Sequence, residues 1–96
     1  MEETVKICKA LSDSTRSKMF FVLSRKTLCV NELVNLLQIS QPAVSQHLNV
    51  LKQADLVRAK RKGYWIHYSV NRRRVKTFLT GLNSLLGKDR LRKRQS

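Results

Sequence analysis

The spacing of apolar residues changes twice along the chain, and these two changes constrain its fold more than any single residue does. Up to Ala54 the apolar positions recur at helical intervals; Leu56 to Val70 alternates as strands do; from Arg72 the helical interval returns. Glu2 to Leu11 reads as a short helix with Val5, Ile7, Cys8 and Leu11 as its apolar positions. Ser12, Asp13 and Ser14 break it and offer capping oxygens to a second helix, about Thr15 to Ser24, carrying Met19, Phe20, Val22 and Leu23. Lys26 to Val30 is a short connector or strand. A third helix, about Asn31 to Leu37, buries Leu33, Leu36 and Leu37. After the turn Ile39-Ser40, Ser40 caps a fourth helix that runs to about Ala54, with Pro42 in the first turn, where a missing N–H costs nothing.

Leu56 to Lys60 and Trp65 to Val70 are rich in strand formers, and Arg61-Lys62-Gly63 supplies turn chemistry between them, which predicts a hairpin with a cationic tip. The last helix, about Arg72 to Leu86, carries the stripe Val75, Phe78, Leu79, Leu82, Leu85, Leu86 and stops at Gly87. Two helices joined by a three- or four-residue turn, then a hairpin, then a helix, make a winged helix-turn-helix. The predicted fold is mainly α with a β-hairpin wing, in the order α1-α2-α3-α4-β-β-α5. It forms one domain over residues 1–87, with 88–96 a flexible basic tail. No internal repeat or linker interrupts it.

A chain of 96 residues buries a limited fraction of its surface, so a partner subunit is a reasonable expectation. Its formal charge is +14 while 42% of its residues are hydrophobic, which excludes a disordered basic tail and points to a folded domain that attracts polyanions. From Lys52 onward fourteen Lys or Arg face two acids, so nearly all the excess lies in the second half. The absence of a membrane-length apolar run, an acidic N-terminus where a signal peptide is basic, and two cysteines in all suggest a cytoplasmic protein.

From "KALSDSTRSKMFFVL" through "VNELVNLLQISQPAVSQHLNVLKQADLV" to the wing "RAKRKGYWIHYSV", the chain resembles the ArsR/SmtB family of repressors. One departure is Asp55, where the family often has Gly; Asp tolerates the left-handed backbone, so the fold should survive. The resemblance implies a homodimer on an inverted-repeat operator, acting as a transcriptional repressor released by an inducer. Its interface would use the first and last helices, here through Val5, Phe78, Leu79, Leu82, Leu85 and Leu86.

The fourth helix has an unusual outer face. Val44, Leu48 and Leu51 form its apolar stripe, while Gln41, Ser45, Gln46, His47 and Asn49 leave the rest neutral in a strongly cationic chain. Uncharged donors and acceptors match base edges in a major groove in ways that uniform positive charge cannot. Gln41, Ser45, Gln46, His47 and Asn49 are therefore candidate base or near-base contacts. Ser40 and the helix N-terminus are placed near phosphate, and Pro42 and Ala43 are small enough for close approach. On the wing, Lys60, Arg61, Lys62 and Gly63 are candidate contacts to backbone or minor groove. Strong attraction of this kind also suits a low-specificity nucleoid or RNA-binding protein, the alternative function.

In metal-sensing members of that family a Leu-Cys-Val-Cys-Asp-Leu motif precedes recognition; here the stretch is Leu28-Cys29-Val30-Asn31-Glu32-Leu33, with one thiol where a soft ion needs two or three. The family's zinc site on the last helix has no counterpart, since Arg72 to Leu86 holds no His, Asp or Glu. Three readings of Cys8 and Cys29 stay open: buried small hydrophobes, redox sensing through a Cys8 to Cys29 disulfide or a persulfide, and a mixed-ligand soft-metal site. No Gly-rich phosphate loop, carboxylate pair or Cys-His arrangement suggests an enzyme.

Overall fold

The structure, a computed structural model, describes residues 2–87; the basic segment 88–96, read above as a tail, lies outside the described residues. Helix α1 spans Glu2–Leu11 and buries Thr4, Ile7 and Ala10, one residue per turn on one face. Val5 and Cys8, expected on the apolar face, sit on the exposed side, because the burial phase is set by Ile7 and the small residues flanking it. Helix α2, Ser14–Arg25, begins where Asp13 Oδ2 accepts the Arg16 backbone N–H at 3.0 Å, and it buries Met19 and Leu23. The stretch that follows contains a two-residue strand, β1, Leu28–Cys29.

Helix α3, Val30–Leu37, ends at Gln38, whose φ of 57° is left-handed. That single residue reverses the chain into α4, Gln41–Gln53, capped by Ser40 Oγ, which accepts the Ala43 N–H at 3.2 Å. Val44, Leu48 and Leu51 of α4 are all buried against Ile7, Met19, Leu33 and Leu56, so the core closes around the inner face of this helix. Asp55 takes a left-handed φ of 60°, as its position required, and the chain turns out of α4 into the sheet.

Strands β2, Val57–Lys62, and β3, Trp65–Val70, form the hairpin, and β1 adds to the other edge of β3, giving the order β1-β3-β2, antiparallel throughout. The pairing runs from Val57 opposite Val70 to Lys62 opposite Trp65. The loop is therefore Gly63-Tyr64, and Arg61 and Lys62, expected in the turn, belong to β2. Gly63 has φ 64°, whereas Tyr64 is not among the residues with positive φ, which is the pattern of a type II′ turn.

Helix α5, Arg72–Leu85, carries the predicted apolar stripe but buries none of it completely. Its N-terminus is tied down firmly. Buried Asn71 caps it and donates from Nδ2 to Asp55 O at 3.0 Å, and Arg74 Nε donates to the carbonyl of Ala54, the residue that closes α4, at 3.1 Å. A second Arg74 nitrogen donates to Glu3 Oε2 at 2.9 Å, so one guanidinium joins α1, α4 and α5. The helix begins Arg72-Arg73-Arg74, cations at the end whose dipole favours anions, and Glu3 offsets that charge. Further along, α5 approaches α1 so closely that a Cβ at Gly81 would overlap the Thr4 side chain.

Candidate nucleic-acid interface

Two features of α4 place its outer face in solvent. Its inner stripe is locked in the core, and at about 100° per residue Pro42, Ser45, Gln46 and Asn49 then fall opposite. All four are exposed, as are Gln41 and Ser40 at the open N-terminus, and Ala43 is half-buried. No charged group lies among them. The helix thus offers amide and hydroxyl groups on a surface convex enough to enter a groove about 12 Å wide.

His47 does not join that face. It flanks Val44 and Leu51 on the helical wheel, so the same rotation that exposes Gln46 turns His47 inward. The ring is half-buried, with Nδ1 lying 3.4 Å from a guanidinium nitrogen of Arg16 and 4.0 Å from Asp13 Oδ2. Arg16 in turn donates through Nε to Ala10 O at 2.6 Å, at the end of α1. His47 is therefore a link between α4 and the α1–α2 corner. The Asp13 carboxyl is held below its ordinary value chiefly by the Arg16 N–H it caps; burial opposes this, and the charges of His47 and Arg16 add to the lowering.

The wing extends beyond β1, which pairs only with His67 and Tyr68. Lys60, Arg61, Lys62 and Gly63 are all exposed on it. Residues directly opposite in an antiparallel pair share a face, so Arg58, Lys60 and Lys62 line one side with Ser69, His67 and Trp65, and Arg61 lies on the other with Ile66. Cations thus point to both sides of the hairpin, and no acid lies between Val57 and Val70.

The cysteines are placed apart in the fold. Cys8 is exposed on α1, which packs on α2, α4 and α5; Cys29 is half-buried where β1, which packs on β3 and α3, enters α3. The neighbours of Cys29 arrive through strand pairing and leave no mark in the local sequence. Cys29 lies directly opposite His67, whose Nδ1 is buried without a hydrogen-bond partner. Glu32 Oε1 accepts the Cys29 backbone N–H at 2.9 Å. That bond, with the Cys29 side chain next, holds the Glu32 carboxyl below its ordinary value, aided by Lys26 and His67. Among the described residues no three His, Cys, Asp or Glu groups are arranged to hold a metal ion. No helix among them is long and apolar enough to cross a membrane.

Comparison with known proteins agrees with this geometry. Residues 13–59, from the cap of α2 to the middle of β2, match the model of the bacterial regulatory proteins of the arsR family. The transcriptional repressor SdpR of Bacillus subtilis is 40% identical over 65 residues, 68% of this chain and 72% of that protein. The arsenic resistance regulator ArsR1 of Pseudomonas putida is 39% identical over 66 residues, 68% of this chain but only 52% of its own length. Among solved structures, an ArsR-like transcriptional regulator from Rhodococcus superimposes with a TM-score of 0.86 at 26% identity, covering 98% of this chain and 89% of its own. The matched region contains both helices of the helix-turn-helix and the start of the wing: this chain belongs to the arsR family of bacterial regulatory proteins.

Proposed function

We propose that the protein is a homodimeric, sequence-specific DNA-binding repressor acting in the cytoplasm on an inverted-repeat operator. The observation that carries this reading is the outer face of α4 from Gln41 to Asn49, uncharged, exposed and rich in donors and acceptors, beside a wing of exposed cations. Gln41, Ser45, Gln46 and Asn49 read base edges; Ser40 and the first turn of α4 meet phosphate; Pro42 and Ala43 allow the approach; Lys60, Arg61 and Lys62 hold the backbone, with Gly63 shaping the tip. His47 acts from behind by fixing the helix against Asp13 and Arg16. Val5, Leu79, Leu85 and Leu86, exposed on α1 and α5, with Phe78 and Leu82 half-buried beside them, supply an apolar surface for a second copy. A two-fold dimer would set its α4 helices in successive major grooves, about 34 Å apart.

Release by a thiol-directed inducer centres on Cys29 in this reading, since its position at the α3 entrance connects a change there to α4. Cys8 sits on the exposed side of α1, whose buried Thr4, Ile7 and Ala10 face the core instead. Cys29→Ser should abolish a response to such an inducer, and Cys8→Ser should leave it intact.

The division of labour on DNA is tested by two substitutions measured on a selected duplex and on random DNA. Gln46→Ala should cost about 1 to 3 kcal/mol and relax preference at one base position, leaving the salt dependence unchanged. Lys62→Ala should weaken both duplexes alike and lower the salt slope by about one unit. Equal losses on both duplexes for both variants would instead support a low-specificity nucleic-acid-binding protein, the reading that the charge of +14 favours.

A further inference from the structure

The wing carries more than cations. Tyr64 is 97% exposed and Trp65 55% exposed, side by side at the tip, with Ile66 next to them. Two large aromatic groups are left in water, with nothing among the described residues to cover them. Their position follows from the turn: Gly63 takes the left-handed φ, a Cβ there would meet nothing within 4 Å, and Tyr64 becomes the outermost residue of the hairpin. The ring of Trp65 shares a face with its partner Lys62 and with Lys60, while Arg61 occupies the other side. An aromatic apex flanked by positive charge on both faces, with no acid anywhere in the hairpin, complements a nucleic-acid groove, where phosphates line two rails and apolar sugar and base surfaces lie between them.

We propose that Tyr64 and Trp65 form an aromatic wedge for duplex DNA. Lys60, Arg61 and Lys62 take the phosphates bordering a minor groove; Tyr64 presses into a base step that has begun to unstack, and Trp65 packs on the adjoining sugar. Opening a step costs energy that depends on its sequence and is least at pyrimidine–purine steps such as TA and CA. The wing therefore adds selectivity for deformable steps flanking the bases read by α4, selectivity that its lysines and arginines could not supply. This rests on the reading that α4 and the wing bind duplex DNA together, and the experiment separates the two ideas.

Trp65 is the single tryptophan of the chain, so its emission reports on the wing alone. Wild-type protein, Tyr64→Ala and Trp65→Phe would each be used to select 30-base-pair duplexes from a randomised pool. The wild-type emission would then be titrated with the duplex it selects. The wild type should enrich an inverted repeat with TA or CA steps outside it, and its emission should be quenched on binding. Tyr64→Ala should select the same repeat, lose the flanking preference and bind about tenfold more weakly. Trp65→Phe, which keeps a ring, should retain the preference. Because Tyr64 touches solvent almost entirely, its loss leaves the fold intact, which thermal melting would verify. A shared repeat with unchanged flanks and affinity in Tyr64→Ala, or unquenched emission on the bound duplex, would overturn the wedge while leaving DNA reading by α4 in place. No enriched sequence at all would remove the underlying reading as well. Emission that shifts blue on phosphatidylglycerol vesicles, or on raising protein concentration without DNA, while staying unchanged with DNA, would assign the aromatics to a membrane or a second copy and refute the proposal.

Discussion

Helices α4 and α5 have similar apolar spacing and opposite fates. In α4 the stripe Val44, Leu48, Leu51 is completely enclosed. In α5 the stripe of six apolar residues includes none that is buried, and Leu79 and Leu86 remain 53% and 68% exposed. Periodicity reports which face of a helix is apolar, and the number of elements available to cover that face decides whether it becomes core. The chain folds α1, α2, α3 and β2 around α4, whereas among the described residues α5 meets chiefly α1 and the end of α4. Helix α4 is thus held by its own chain, and among the described residues the last helix keeps an open apolar face.

The contrast is broken most directly by truncating each stripe. Leu51→Ala removes a side chain with no exposed surface and should cost about 2 to 5 kcal/mol in denaturant unfolding, at any protein concentration. The pair Leu79→Ser, Leu86→Ser should barely change the unfolding of the monomer, yet it should shift sedimentation from dimer to monomer and make the melting temperature independent of concentration. If the serine pair unfolds the monomer as readily as Leu51→Ala does, α5 is core after all and the distinction fails.

A smaller effect sharpens it where α5 does touch the chain. Gly81→Ala should gain up to about 1 kcal/mol of helix propensity. The new methyl collides with Thr4, however, so that either the threonine turns or α5 retreats from α1, at about 1 to 3 kcal/mol. The net expectation is a modest destabilisation, read in thermal melting, that Thr4→Ala relieves in the double variant. Additivity of the two changes would show that α1 and α5 are not in contact at this point.

Much of the fold was legible because local chemistry settles it. Asp13 and Ser40 cap their helices as side chains of that type do, and Asp55 adopts the left-handed turn expected of it. The family likeness was legible for the same reason, since its signature residues cluster at those caps and turns. The misreadings came from phase and from pairing. Val5 and Cys8 looked like the inner face of α1, but small Thr4 and Ala10 permit the closer packing and turn the helix about one residue. Gln38 is no glycine, and nothing local marks it as left-handed; the closing of α3 onto α4 imposes that conformation. The first strand of the hairpin runs two residues further than its spacing predicts, which takes Arg61 and Lys62 out of the turn and leaves Tyr64 as half of a two-residue loop. In the candidate interface, periodicity turns Gln46 outward and sets His47 beside the apolar stripe, while the partners that His47 meets there, Arg16 and Asp13, lie far earlier in the chain and leave no local sign.

The smallest predicted effect concerns how α4 is tied to its neighbours, and it should appear only in acid. Asp13 caps α2 and faces His47 and Arg16, and its carboxyl is lowered from an ordinary value of 3.8, first by the Arg16 N–H. A carboxylate with a depressed folded value binds its proton less readily when folded than when unfolded. Its contribution is complete above the unfolded value and disappears as pH falls through the folded one. The loss therefore belongs below about pH 4, and neutral solution should show none of it. Asn accepts the same N–H without titrating, so Asp13→Asn keeps the cap and removes only the acid dependence. Melting temperatures between pH 6 and pH 2 should fall less steeply for the variant than for the wild type, with the curves converging at the acid end. On the other side of the comparison, Glu3→Gln weakens the Arg74 bridge that ties α5, and because that carboxylate is open to water its effect should be slight and screened by salt. A salt-sensitive loss for Glu3→Gln as large as the acid effect at Asp13 would mean that α5, no less than α4, is held in place by its own chain.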